Sequence, residues 1–452
     1  MMVFATQHFA DITNPEAAAD ILNAALDAAD PCAAVKRAIH LENDYLAVAG
    51  VQYHLQAHQK VVLIGAGKAS AGMARGVYEV LGDSLTVGAV ILKHFPEDQK
   101  DFFPRVTLLL GSHPVPDAHS VQATEQMLAV LNGLEEDDLV LCVISGGGSA
   151  LMTRPSAGVT LESIQALTRS LLACGANISE MNTIRKHLDL VKGGGLARAA
   201  YPARLVTLIL SDVIDSPLDV IASGPTVADP STFRDAWDIL VKYSLVEGLS
   251  GEIKDHLLAG IDGKISESVK PGDKCLDGVQ NVLVASNLQS AEAAVACAIS
   301  HGFDARVLTT SLAGEARLAG SHLAVDLKQA LETRDRNKPL CLVAGGETTV
   351  TLRGNGLGGR NLEVALGAVR SLAGMERVAL VTLATDGEDG PTDAAGAVVT
   401  GETLKKAQVL GIEPGLYLAN NDSYHFFKTV GGLLEPGATG TNVNDLTFLF
   451  AF

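Results

Sequence analysis

A two-domain α/β protein, its larger part a doubly wound parallel sheet, is what the sequence predicts, and three observations carry this expectation. Short apolar runs such as Lys60-Val61-Val62-Leu63-Ile64, Leu139 to Ile144 and Leu205 to Leu210 alternate with stretches of helical periodicity, the pattern of strands covered on both faces. The runs end in glycine, serine or aspartate, as crossover units do where they present a ligand edge. Finally, 452 residues exceed one ordinary core. The polar stretch from Glu247 to Asp277, with its Pro271-Gly272-Asp273, separates residues 1–275 from 276–452 as the expected domains.

Composition narrows the function classes. A formal net charge of −18 opposes nucleic acid and anionic membrane surfaces as partners, and no apolar run approaches the roughly 20 residues of a spanning helix. The N-terminus carries Asp11 and Glu16 and no basic segment leading into an apolar one, so the expected compartment is the cytoplasm. Six scattered cysteines without a CxxC pair indicate neither zinc nor a disulfide framework. An anionic small-molecule ligand would need local cations to overcome the overall field, and isolated Lys and Arg in Gly-rich loops supply them. A homodimer is left open.

Along the chain, the first sixty residues read as helical, because Asn14-Pro15 and Asp30-Pro31 each place a capping side chain before a proline. Strand Lys60 to Ile64 then enters Gly65-Ala66-Gly67-Lys68-Ala69-Ser70-Ala71-Gly72, which opens a helix to about Leu81. The loop lacks Walker A spacing. It also lacks a third Gly or Ala at position 70, and the strand Gly88 to Leu92 is followed by Lys93 and His94, not the acid a dinucleotide ribose needs. What remains is Lys68 at a helix entrance, placed to hold phosphate or carboxylate with the amides, or a solvated turn lysine.

Strand Val106 to Leu110 leads into Gly111-Ser112-His113-Pro114-Val115-Pro116-Asp117, a rigid loop whose His113 is a substrate contact or a structural hydrogen-bonder. After a helix over 121–131, the central strand ends in Ser145-Gly146-Gly147-Gly148-Ser149. Its glycines allow N–H groups to converge on an anion, with Ser149 as N-cap of a short helix ending before Pro155; a plain tight turn has the same sequence. Helices over 161–174 and 180–191, capped by Thr160 and Ser179, follow. The second carries Arg185, Lys186 and His187 and breaks at Gly193-Gly194-Gly195, a stop that suits a cleft wall. Asp212 directly follows the strand Leu205 to Leu210, a position for a base, a magnesium ligand or a helix cap.

The second domain repeats the pattern. Strands over 282–285, 305–308, 340–344, 378–383 and 446–450 are expected, with a hairpin-like Val350-Thr351-Leu352 and helices over 291–301, 315–331 and up to Leu372. Their loops hold Ser286-Asn287, Gly345-Gly346-Glu347-Thr348-Thr349, Gly358-Gly359-Arg360-Asn361 and Ala384-Thr385-Asp386-Gly387. The acidic loop from Asp386 to Asp393 lacks the ligand spacing of an EF-hand.

Taken together and in order, the loops at Gly65 to Ser70, Gly111 to Pro116, Ser145 to Ala150, Leu210 to Val213, Ile221 to Thr226, Gly345 to Thr349, Gly358 to Asn361 and Ala384 to Gly387 closely resemble the glycerate 2-kinase family. The C-terminal module of that family is the MOFRL domain, and the likeness runs from about Pro15 to the C-terminus. The resemblance implies transfer of the ATP γ-phosphoryl group to the 2-hydroxyl of D-glycerate, with Mg2+ as cofactor. It also implies a larger Rossmann-like domain, a smaller C-terminal α/β domain and an active site in the cleft between them. Lys68, Asp212 and Arg360 are its expected catalytic residues.

On that basis Lys68 and Arg360 take the phosphoryl group and the substrate carboxylate, in either order, and Asp212 orients the hydroxyl as base. Ser145, Gly146, Gly147, Gly148, Ser149 and His113 bind substrate or phosphate. Gly345, Gly346, Glu347, Thr348 and Asn287 form the nucleotide side, and Asp386 and Glu347 hold magnesium directly or through water. Two other classes remain: an NAD(P)H-dependent hydroxypyruvate reductase, and a non-catalytic sugar-acid or nucleotide sensor.

Overall fold

The computed structural model describes residues 3–55, 59–95 and 104–452. It divides into two compact units, one of Pro31–Val284 and one joining Met1–Asp30 to Ala285–Phe452.

The Pro31–Val284 unit opens with a small antiparallel meander of β1 (Ile39–Glu42), β2 (Tyr45–Val48) and β3 (Val51–His54). Its main sheet has β4 (Val61–Ala66), β5 (Val87–Leu92), β6 (Val106–Leu110), β7 (Leu139–Ile144), β8 (Arg204–Leu210) and β9 (Val279–Ala285). These lie in the order β6-β5-β4-β7-β8-β9, with parallel ladders from β6 through β8. This is the expected doubly wound, Rossmann-like sheet, and its order reverses between β4 and β7, where ligands bind in such sheets. Every residue of β4 and β7 is buried, which is why both read as continuous apolar runs. Burying each Val, Leu or Ile there contributes about 1.5–3 kcal/mol before entropy is charged against it.

The other unit contains β10 (Asp304–Leu312), β11 (Leu340–Gly346), β12 (Val378–Ala384), β13 (Gly396–Thr400), β14 (Leu433–Leu434) and β15 (Asp445–Ala451). The order is β10-β11-β15-β12-β13-β14. Only β10 and β11 run parallel; β15 inserts antiparallel between β11 and β12. It therefore starts at the edge where its neighbours end, and Asp445 stands in register with both Gly346 and Ala384.

Several expectations are corrected. The first thirty residues do not join the 31–275 segment. Helix Pro15–Ala29 buries Ile21, Leu22, Ala25 and Leu26 in one core with Ala291, Ala294 and Ala298 of helix Asn287–Ser300. The division near 275 falls instead at Ala285, because the run over 282–285 belongs to β9, the edge of the first sheet, where Leu205 N–H donates to the Gly278 carbonyl at 3.0 Å. Residues 39–54 are strands, not helix, and Val350-Thr351-Leu352 forms no strand. Helix Ile178–Leu188 is capped by Asn177 in a capping box with Glu180, not by Ser179, since Asn accepts from the Glu180 N–H and Glu180 reaches back.

Candidate functional site

In the Pro31–Val284 unit, four loops at the carboxyl edge of the sheet converge on Gly146-Gly147. The register Ala66↔Ile144 makes the loops after β4 and β7 leave side by side. Lys68 N–H donates to the Gly146 carbonyl (2.9 Å), Ser145 N–H to Ala66 O (3.2 Å) and Ala69 N–H to Ser145 Oγ (3.0 Å). Ser145 is thus buried and latches the two turns together. Ser149 is not the N-cap: the short helix Gly148–Leu151 starts after Gly147, whose φ of +82° a side chain rarely adopts. The Ser149 hydroxyl instead meets Ser223 Oγ at 2.8 Å, and Ser223 donates to Asn182 Oδ1 at 3.0 Å.

The close approaches identify what surrounds the turn. A Cβ on Gly146 would lie 1.9 Å from Asp212 Oδ2, and one on Gly147 would lie 3.0 Å from the His113 ring and 3.3 Å from the Lys68 side chain. Lys68, His113 and Asp212 therefore share one glycine platform. Among the described residues no acceptor is found for the Gly146 and Gly147 amides, which leaves two N–H groups for an anion. The loop after β8 bends over the same turn with left-handed Ala222 and Ser223 (φ 49° and 62°), a strain of about 1–3 kcal/mol per residue of the kind that gathers at functional sites. Burial, and then the charges of Lys68 and Lys93, push the His113 pKa down. The imidazole is therefore neutral at neutral pH and serves as a hydrogen-bonding group.

A pocket of about 260 Å³ opens beside this platform, lined by His113, Gly147 and Ser149 together with Arg169, Arg185, Asp189 and Lys192 and by apolar walls including Ile164 and Leu188. Its cations come from the helices over 161–173 and 178–188 and from the glycine break after them. Arg185 stands out in the sequence beside Lys186 and His187, but nothing in that spacing points to a pocket.

In the other unit, Glu347, Arg360 and Asn287 gather where β11 ends and β15 begins, and Asp386 follows the end of the neighbouring β12. Arg360, at the start of helix Arg360–Leu372, has its guanidinium bonded to Glu347, with Nε 3.1 Å from Asp445 Oδ2 and Nη2 3.3 Å from Asp445 Oδ1. Asn287 Nδ2 donates to the carbonyls of Val443 (2.8 Å) and Asp445 (3.1 Å), and Gly345 must lack a side chain because a Cβ would sit 1.7 Å from Asn287 Oδ1. Asn444 joins the remaining loops, accepting from Thr385 Oγ1 at 2.7 Å while its Nδ2 donates to Glu347 Oε2 at 3.2 Å. Thr348 is buried next to Glu347. Asp389 caps the Arg360 helix through the N–H groups of Asn361 (3.1 Å) and Leu362 (2.8 Å).

Three carboxylates surround one arginine here. Burial opposes the charge on Arg360, but Asp445, Glu347 and Asp389 outweigh it and raise its pKa. Burial pushes Asp445 up to about 7 despite Arg360, and Asp389 up to about 6. Because Asp445 binds its proton more tightly folded than unfolded, its contribution to stability falls as pH rises from the unfolded value toward 7 and then levels off. Asp445→Asn, which does not titrate, is therefore expected to gain in Tm relative to the parent between about pH 5 and pH 7. Thermal melts across that range check it; a pH-independent difference would refute the assignment.

Mg2+ is held by one or two carboxylates plus phosphate and water oxygens, and the two candidates, Glu347 and Asp386, follow β11 and β12, whose ends flank the start of β15. Among the described residues no group of three or more His, Cys, Asp or Glu side chains could by itself hold a metal.

Residues 17–258, more than half of the chain, match a domain of unknown function (DUF4147), and residues 340–445 match the MOFRL family. The class is thus that of proteins joining a DUF4147 domain to a MOFRL module. A D-glycerate 2-kinase from Thermotoga maritima is 44% identical, over 86% of this chain and 89% of that protein. A solved Thermotoga maritima glycerate kinase superposes with a TM-score of 0.84 at 40% identity, covering 97% of this chain and 99% of that one. A relative from Agrobacterium vitis, 42% identical over 86% of each chain, bears the provisional name hydroxypyruvate reductase. The chain belongs to the glycerate 2-kinase family. Among the described residues no helix is long and apolar enough to cross a membrane.

Proposed function

We propose that the protein transfers the γ-phosphoryl group of ATP to the 2-hydroxyl of D-glycerate, giving 2-phosphoglycerate and ADP. The observation that carries this reading is the grouping of Lys68, Asp212 and His113 on the Gly146-Gly147 platform at the sheet's reversal point, in a chain whose relatives are named glycerate kinases. Phosphoryl transfer asks for positioning and charge neutralisation more than for covalent chemistry, and these loops supply both.

In this mechanism Asp212 accepts the hydrogen bond of the attacking 2-hydroxyl and takes its proton as the new O–P bond forms and the bond from the γ-phosphorus to the bridging oxygen breaks, that oxygen leaving with ADP. Lys68 and the glycine amides hold anionic oxygens of the acceptor or the transferring group. Arg360, kept in one rotamer by Asp445 and Glu347, neutralises charge on the transferring phosphoryl. The Asn287, Gly345-Gly346 and Thr348 loops receive the nucleotide. Magnesium, carried by Glu347 and Asp386 with the phosphates, would supply further charge neutralisation when bound.

The reductase reading has one relative's name in its favour. Against it, β5 is the strand whose end would carry the ribose-binding acid of a dinucleotide site, and it is followed by Lys93-His94. ATP, Mg2+ and D-glycerate coupled directly to enolase should give a signal without added phosphoglycerate mutase. A mutase-dependent signal would mean attack by the 3-hydroxyl, and NADH oxidation on hydroxypyruvate without ATP would favour the reductase. Ligand binding with no product would leave a sensor.

A further inference from the structure

The pocket beside the glycine platform has a charge imbalance that nothing among the described residues resolves. Lys192, almost fully buried, is neutralised internally: its Nζ lies 2.8 Å from Asp189 Oδ2 and donates to Met152 O at 3.1 Å. Asp189 is the only acid among the described residues of the pocket wall, so this pair leaves Arg169 and Arg185 over. Arg169 is exposed and can be left to water. Arg185 is not: it is half-buried, no hydrogen bond or ion pair holds it among the described residues, and burial depresses its pKa. Its charge also repels that of Lys192. In a protein of net charge −18, a sequestered and unpaired guanidinium is an anomaly that an anionic ligand would remove.

We propose that Arg185 anchors the carboxylate of the acceptor in this pocket, with the acceptor's hydroxyl end toward the Gly146-Gly147 turn. The inference rests on the glycerate kinase reading and assigns the acceptor end of that site. A guanidinium presents a fork that matches a carboxylate bidentately. The apolar walls at Val115, Ile164, Leu172 and Leu188 suit a carbon-bearing acid better than a polyphosphate. His113, neutral and shared by pocket and platform, is placed to hydrogen-bond the acceptor between its two ends. Lys68 is thereby released to serve the transferring phosphoryl group.

The test compares D-glycerate with D-glyceramide, which keeps both hydroxyls and loses the charge. Arg185→Ala is expected to raise KM for D-glycerate about 30-fold or more, leave KM for ATP within a few-fold, and erase most of the preference for glycerate over glyceramide. Arg185→Lys should recover part of that preference, whereas a general packing defect would weaken both acceptors alike. An unchanged glycerate KM in folded Arg185→Ala, or a rise confined to KM for ATP, would overturn the assignment; the second result would make Arg185 a nucleotide-phosphate contact. If the parent enzyme fails to phosphorylate glycerate, the functional reading falls separately, and calorimetry with D-glycerate then decides the pocket. Binding lost in Arg185→Ala upholds the anchor, and equal binding or none to the parent refutes it.

Discussion

Replacing Arg360 with alanine is expected to lower kcat roughly 10³-fold, about 4 kcal/mol of barrier, the effect typical of an arginine that neutralises charge on a transferring phosphoryl group. The size of the effect follows from preparation as much as from charge. Asp445 and Glu347 grip the guanidinium from two sides, so little rotamer freedom is lost when substrate arrives. The same grip makes Arg360→Ala costly to the fold, because Asp445, Glu347 and Asp389 lose their common counter-charge. With the side chain 38% exposed, that cost should be about 1–3 kcal/mol, below that of a fully buried pair. Arg360→Lys separates the two effects: it should restore most of the Tm and little of the kcat. A folded Arg360→Ala protein with near-normal turnover would remove the residue from the mechanism.

Asp212→Asn is expected to lower kcat by roughly 10²-fold or more while leaving both KM values within a few-fold, since a base acts in the transition state and contributes little to ground-state binding. A second variant reaches the same carboxylate without touching it. The Cβ of Gly146→Ala would overlap Asp212 Oδ2 at 1.9 Å, so the aspartate must move while its chemistry stays intact. Steady-state kinetics on both proteins should give the same signature, a fall in kcat at nearly constant KM. If Asp212→Asn alone were fully active, the hydroxyl proton would have to leave by another route.

The first sheet was legible because its central strands are apolar on both faces, and β6 and β7 begin and end where their runs do. The meander at 39–54 was hidden because its strands are four residues each, carry His40, Glu42, Gln52 and His54, and follow a strong Asp-Pro helix start. Edge strand β9 is only partly buried along most of its length, so its short apolar end at 282–285 resembled the start of a new sheet. Lys68, Asp212 and the glycine turn were legible because each follows a strand that runs toward the ligand edge. Asp445 was not, because it precedes its strand: an acid at a strand start reaches that edge only if the strand is antiparallel, and β15 inserts where no local pattern announces it. Arg185 was visible as a residue, but its lack of a partner is a property of packing that no spacing encodes.

The Pro31–Val284 unit is an insertion within the other one. Ala29 and Asn287, close to the two ends of the insertion, are both tied to one segment: Thr441 Oγ1 donates to Ala29 O at 2.6 Å, and Asn287 Nδ2 to Val443 O at 2.8 Å. During synthesis the inserted unit is therefore whole before its host has received β10 to β15, and it can fold on the ribosome while helix Pro15–Ala29 waits with an uncovered apolar face. A fragment that begins at the MOFRL match would lack that helix and expose the core it covers. A short linker joining Asp30 to Ala285 would instead keep the host's strands and its helical cover in a single polypeptide.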